Sequence, residues 1–182
     1  MSEIADRYRR LSAGFVDKVS QVSPERWGSP SPCENWVARD VVAHLVDVQG
    51  IFLGLVNRPF ERTVNVEDDP VGALREAFTQ VQADLDDPER AGTVFDGYFG
   101  PMSFEDAIDR FVCFDLAVHG WDLSRATGLD ETIDPIDVVR LRAAVDGFGD
   151  ALHQSGVCGP PVDVTTDADE QTKLLALLGR HV

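Results

Sequence analysis

The sequence predicts an all-α fold: a four-helix bundle with long crossover connections and short C-terminal additions. Three observations predict it. Apolar residues recur every three or four positions through four long segments, the spacing of one helix face. Prolines fall between those segments or at their first residue, never inside them. The chain has 182 residues, 43% of them apolar, enough to bury a core without disulfide staples. No internal repeat or low-complexity run divides it, and residues 1–182 read as a single domain.

The first helix is expected over residues 3–22, where Ile4, Tyr8, Leu11, Phe15, Val19 and Val22 form the stripe. Ser23-Pro24 ends it. A turn-rich loop follows, running from Trp27 to Trp36 and carrying Pro30 and Pro32. The second helix is expected from about Val37 to Val56, with Asn35 or Trp36 near its N-cap and Asp40 in its first turn, where a negative charge suits the helix dipole. Its middle is apolar nearly all round, which predicts burial on most sides. Gly50 and Gly54 would let another backbone come close.

After a polar loop over residues 60–69, Pro70 opens a third helix to about Leu85, with Val71, Leu74, Phe78, Val81 and Leu85 as its stripe. Residues 86–102 read as irregular, with short extended pieces at Thr93-Val94-Phe95 and Tyr98-Phe99. Ser103 is the expected N-cap of the fourth helix, with Asp106 in a capping-box position, and Gly128 fits the C′ stop after Thr127. Pro135 opens a fifth helix towards His153, breaks are expected at Gly156 and Gly159-Pro160-Pro161, and Asp167 is the expected cap of a short last helix. The long connections at 57–69 and 86–102 permit a crossover topology.

Charge narrows the function. The net charge of −16 disfavours a nucleic-acid backbone or an anionic membrane as partner, because both would be repelled. No run approaches the length of a membrane span, and the N-terminus lacks the regions of a signal peptide. Cys33, Cys113 and Cys158 are too few and too widely spaced for a disulfide framework or a zinc finger, which points to a reducing cytoplasm. There is no glycine-rich phosphate loop and no nucleophile elbow.

The chemistry concentrates on two helices. In the fourth, Asp115 and His119 stand four residues apart, so their side chains rise from adjacent turns of one face. Asp122 falls within about 60° of both around the helix axis. A carboxylate on an apolar stripe needs a partner, and a divalent cation is one. A buried Asp–His hydrogen bond, or an ion pair with Arg125 or Arg39, is the plainer alternative. His44, in the most apolar helix, supplies a third donor. Two His and one carboxylate leave positions open for water or substrate, as catalytic sites do, and suit Zn²⁺ but also Ni, Fe or Mn.

Asp40 and Asp47 flank His44; helix capping and solvent exposure account for them at least as well as support of the imidazole. Asp122 has the same ambiguity beside His119. Cys33 lies in the loop before the second helix and would be a reactive thiol if near a metal, although most free cysteines are small buried hydrophobes. Cys113 and Cys158 fit packing, and His153 and His181 fit surface positions. No residue stands out as a dedicated catalytic acid or base.

These residues carry a resemblance. The run from Trp27 through Pro30-Ser31-Pro32-Cys33-Glu34-Asn35-Trp36 to His44-Leu45 resembles the opening motif of the mycothiol-dependent maleylpyruvate isomerase N-terminal domain family. Leu116 to Gly128, with His119-Gly120-Trp121-Asp122, resembles its second motif, and Gly159-Pro160-Pro161-Val162 with Leu174 to Arg180 resembles the ending of a standalone actinobacterial subgroup. The resemblance implies a DinB-like metal-binding four-helix bundle whose ligands fall on His44, Asp115 and His119. The family has Glu where this chain has Asp115, one methylene shorter, which implies ligation through water or a weaker hold. The full isomerase carries a further C-terminal domain without counterpart in these residues, which argues against maleylpyruvate isomerisation itself.

Two functions are therefore expected as alternatives. One is a metal-dependent S-transferase or isomerase that uses a low-molecular-weight thiol such as mycothiol on a small electrophile. The other is a non-catalytic metal-binding or stress-response protein. A small molecule is the expected partner in the first, and a homodimer is compatible with either.

Overall fold

The computed structural model describes residues 2–97, 100–149, 152 and 158–182. Its regular structure is almost entirely helical, with a single two-stranded ribbon among the described residues. The chain divides into two units, residues 1–130 and 131–182.

The first unit holds α1 (Glu3–Ser20), α2 (Ala38–Leu55), α3 (Pro70–Leu85), the single turn α4 (Pro88–Ala91), the strands β1 (Val94–Gly97) and β2 (Gly100–Ser103), and then α5 (Phe104–Ala107) and α6 (Cys113–Thr127). A wide π-helical turn over Ile108–Val112 joins the last two into one continuous rod. Within it the N–H of Cys113 bonds to the carbonyl of Ile108, five residues back. Arg7 of α1 reaches this turn and donates to the Asp109 carbonyl (3.3 Å) and carboxylate (2.5 Å). Side-chain insertion of this kind and π-turns both displace the helical ladder, and such turns are frequent at functional sites.

The helix ends follow their local chemistry. Ser2 caps α1 through its hydroxyl, and Asp69 caps α3, with Pro70 at the first helical position. Ser103 accepts from the Asp106 N–H and donates to its carboxylate at 2.6 Å, closing the expected capping arrangement. Gly128 ends α6 in the left-handed conformation at φ 78°, its N–H bonded to Ser124. At α2 the N-cap is Val37 rather than Asn35 or Trp36. Asn35 is itself left-handed (φ 64°) and turns the chain before the helix begins, while the Asp40 carboxylate accepts from the Val37 N–H at 2.8 Å.

The bundle is the ring α1–α3–α2–α6, each helix packed on its two neighbours. The crossover topology is present, and it lies in the α1–α2 and α3–α6 links, which run between diagonal partners. The 57–69 connection joins neighbours. Tyr8, Phe15, Leu45, Leu53, Leu74, Val81, Phe104, Ile108, Leu116 and Leu123 fill the core. At roughly 1.5–3 kcal/mol per fully buried large apolar side chain, this core dominates stability. The Tyr8 hydroxyl donates to Gln49 at 2.8 Å, so these two buried polar groups satisfy each other. Gly50 meets the Phe60 ring rather than another backbone, and Gly54 faces open space.

The 86–102 stretch is more regular than its sequence suggests: α4 and the antiparallel ribbon lie there, with Val94 opposite Ser103. Pro101 hid β2, since proline is tolerated only at a strand edge. Tyr98, Phe99, His153 and Gly156 lie outside the described residues.

The second unit contains α7 (Pro135–Phe148) and α8 (Glu170–Leu177), packed on each other. Asp134 caps α7. Asp169, not Asp167, caps α8, accepting from the Thr172 N–H at 2.8 Å, so the helix starts one residue after that cap. Gly159 and Gly179 touch backbone to backbone: a Cβ on Gly179 would lie 2.9 Å from the Gly159 Cα.

Candidate metal centre

The cluster is assembled by α2, α6 and the loop between α1 and α2. That loop folds back on itself. The Ser31 N–H donates to the Trp36 carbonyl (2.9 Å), the Ala38 N–H to Ser29 (2.9 Å), and Pro30 bridges Val37. The Ser31 hydroxyl accepts from the Cys33 N–H at 3.0 Å. The turn at Asn35 then delivers Cys33 and Trp36 onto the face where α2 and α6 meet.

There, one ligand atom each from His44, Asp115 and His119 lies within 4.8 Å of the others. His44 Nε2 and Asp115 Oδ2 are 3.3 Å apart. Two donors on one tetrahedral zinc, with bonds of about 2.0–2.2 Å, stand roughly 3.3–3.5 Å apart, so this pair is already at ligand spacing. The shorter Asp side chain therefore reaches His44 without a water between. The donor chemistry, two imidazoles and one carboxylate with further positions open, fits a divalent cation.

Burial across the cluster is uneven. Only His119 is buried, whereas the side chains of His44 and Asp115 keep 29% and 28% of their surface exposed. The apolar stripe had suggested burial for all three. The exposed pair gives the cluster an open side. Trp36 covers another: its ring lies 5.8 Å from that of His119, nearly parallel at 27°, and 5.0 Å from that of His44. The two imidazoles meet edge to face at 4.9 Å.

Beneath His119 sits a polar layer. Asp122 Oδ2 is 2.9 Å from His119 Nδ1 and accepts from the Cys33 thiol at 3.4 Å. Burial by itself would lower the His119 pKa. The hydrogen bonds to Asp122 and Cys33 and the charges of Asp115 and Asp122 outweigh it and push the value up to about 10. Without a cation, an imidazolium thus supplies part of the positive charge that these two carboxylates call for.

Residues 8–78 match the family model of the mycothiol maleylpyruvate isomerase N-terminal domain. The match covers most of α1, the Cys33–Trp36 loop, His44 and the first part of α3, and is to the family the motifs resemble; Asp115, His119 and Asp122 lie beyond it. Two uncharacterised proteins of Mycobacterium tuberculosis, from strains H37Rv and CDC 1551, are each 26% identical over 138 residues, 75% of this chain and 75% of theirs. No solved structure matches the chain.

Around the three donors, the flanking acids separate by role. Asp40 caps α2, and Asp47 pairs with Arg62 at 2.5 Å, half exposed. Asp122 belongs to the polar layer. Arg39 bonds the carbonyls of Val66 and Glu67 and lies over the Trp27 ring, while Arg125 lies over the Trp121 ring. Cys113 is buried, and His181 is exposed. Trp36 is the neighbour that helical spacing could not find, because a loop reversal rather than a helix places it.

No helix among the described residues is long and apolar enough to cross a membrane.

Proposed function

We propose that this protein binds one divalent cation, Zn²⁺ first, through His44, Asp115 and His119, and uses it with a low-molecular-weight thiol of the mycothiol type. The reaction class is S-transfer to, or thiol-assisted isomerisation of, a small electrophile in the cytoplasm. The observation that carries the reading is the three-donor cluster within 4.8 Å, with His44 and Asp115 at ligand spacing and the side they form left open. The family match supports the thiol.

A bound dication would stabilise a thiolate at neutral pH. The chain's own residues do the rest. Trp36 shields the two imidazoles from water, His119 is held by Asp122, and the exposed edges of His44 and Asp115 leave room for a thiol and its acceptor. The net charge of −16 favours capture of a cation.

Metal analysis of protein purified without a histidine tag tests the binding. About one divalent ion per chain is expected, and a metal-free protein of equal stability refutes it. Conjugation of an electrophile that requires both metal and thiol tests the chemistry. Metal binding without turnover on mycothiol-, bacillithiol- or glutathione-type thiols would leave a non-catalytic metal-binding protein.

A further inference from the structure

Two three-residue groups share His119: His44–Asp115–His119 and Cys33–His119–Asp122. Distance separates their roles. His119 Nδ1 and Asp122 Oδ2 are 2.9 Å apart, a hydrogen bond and closer than the roughly 3.3–3.5 Å between two ligands of a tetrahedral zinc. A carboxylate can only accept, so in that bond the proton sits on Nδ1, and Nε2 is the nitrogen a cation can take once its own proton is displaced. Asp122 is fully buried, and the Cys33 thiol, from the loop before α2, donates to the same oxygen at 3.4 Å. A buried carboxylate whose one oxygen takes hydrogen bonds from two different segments of the chain has little freedom to turn.

We propose that Asp122 is the positioning residue of this centre. It fixes His119 in the Nδ1–H tautomer, with Nε2 left for the cation, and Cys33 holds the Asp122 carboxylate in place through its thiol. The inference rests on the reading that His44, Asp115 and His119 bind a divalent ion. A free imidazole divides between two tautomers and rotates; one pinned by a buried carboxylate does neither. Loss of such an outer partner typically costs about 10–100-fold in metal affinity.

The test uses the full chain with zinc, measured by competition against a chromophoric chelator, and ¹⁵N NMR of the loaded protein. NMR should place the His119 proton on Nδ1 and zinc on Nε2; the reverse assignment overturns the proposal. Asp122→Ala should still saturate at about one zinc, with affinity about 10–100-fold weaker. Asp122→Asn, whose amide oxygen still accepts, should recover most of that loss, which simple repacking would not do. Wild-type affinity in folded Asp122→Ala, or an Asn variant no better than Ala, overturns the proposal.

If Asp122→Ala does not fold, Cys33→Ala serves in its place: it removes the thiol, leaves the carboxylate, and should weaken zinc by a smaller factor. Unchanged affinity there refutes the thiol's part. His44→Ala distinguishes the two levels. If His44→Ala loses zinc while Asp122→Ala keeps it at full affinity, the site stands and the positioning role falls. If wild type binds no zinc, both fall.

Discussion

His44 Nε2 lies 3.3 Å from Asp115 Oδ2, although the two residues stand 71 positions apart in the chain. At that spacing the pair suits either a long hydrogen bond or two adjacent ligands of one ion. His44→Ala or His119→Ala should therefore abolish zinc binding, read as stoichiometry after dialysis. Asp115→Asn keeps the shape and removes the charge, so it should weaken binding while leaving the fold intact by circular dichroism. Retained full loading in either histidine variant would refute the ligand set.

The two imidazoles and the carboxylate were legible in the sequence because helices report on themselves. Asp115, His119 and Asp122 sit on one face by simple periodicity, and the caps at Ser103 and Gly128 fix where that face begins and ends. What the sequence hid is non-local. Trp36 reaches the site only because Asn35 reverses the chain at φ 64°, and no periodic rule encodes that. The π-turn over Ile108–Val112 breaks the regular register just before Asp115, held by Arg7 from a distant helix. The exposure of His44 and Asp115 was likewise invisible, since an apolar neighbourhood in sequence does not say which edge of a bundle a residue occupies.

Trp36 supplies an optical probe. Its ring lies 5.0 Å from that of His44 and 5.8 Å from that of His119. Addition of Co²⁺ or Ni²⁺ should quench tryptophan emission, saturating at about one equivalent. Trp36→Phe should remove most of this response while retaining metal. An unchanged titration in Trp36→Phe would place the ion elsewhere.

Away from the site, Asp84 anchors α3 to the segment that follows it. It is almost fully buried, with Arg58 at 2.6 Å and Arg90 at 2.8 Å. Arg58 also donates to the Arg90 carbonyl and the Thr93 hydroxyl and lies over the Phe104 ring. Breaking a buried pair by removing one partner typically costs about 3–5 kcal/mol, because the other charge is stranded. Arg58→Ala should cost about 3 kcal/mol in urea denaturation. Arg90→Ala should cost under about 1 kcal/mol, because Arg90 is half exposed and its pairing is screened by water.

The raised pKa of His119 makes a signed prediction for the metal-free protein. The folded value of about 10 lies above the ordinary histidine value of 6.5. The folded state therefore holds a proton more tightly than the unfolded chain. The stabilisation this provides is fully present below pH 6.5 and is lost as pH rises through about 10. Metal-free protein should lose thermal stability across that window, and Asp122→Asn, which removes one of the charges holding the proton, should flatten the loss. With zinc bound the proton on Nε2 is displaced, so zinc-loaded protein should not show this dependence, and zinc uptake near neutral pH should release a proton measurable in weak buffer. A metal-free stability that rises between pH 6.5 and 10 would contradict the charge balance of the cluster.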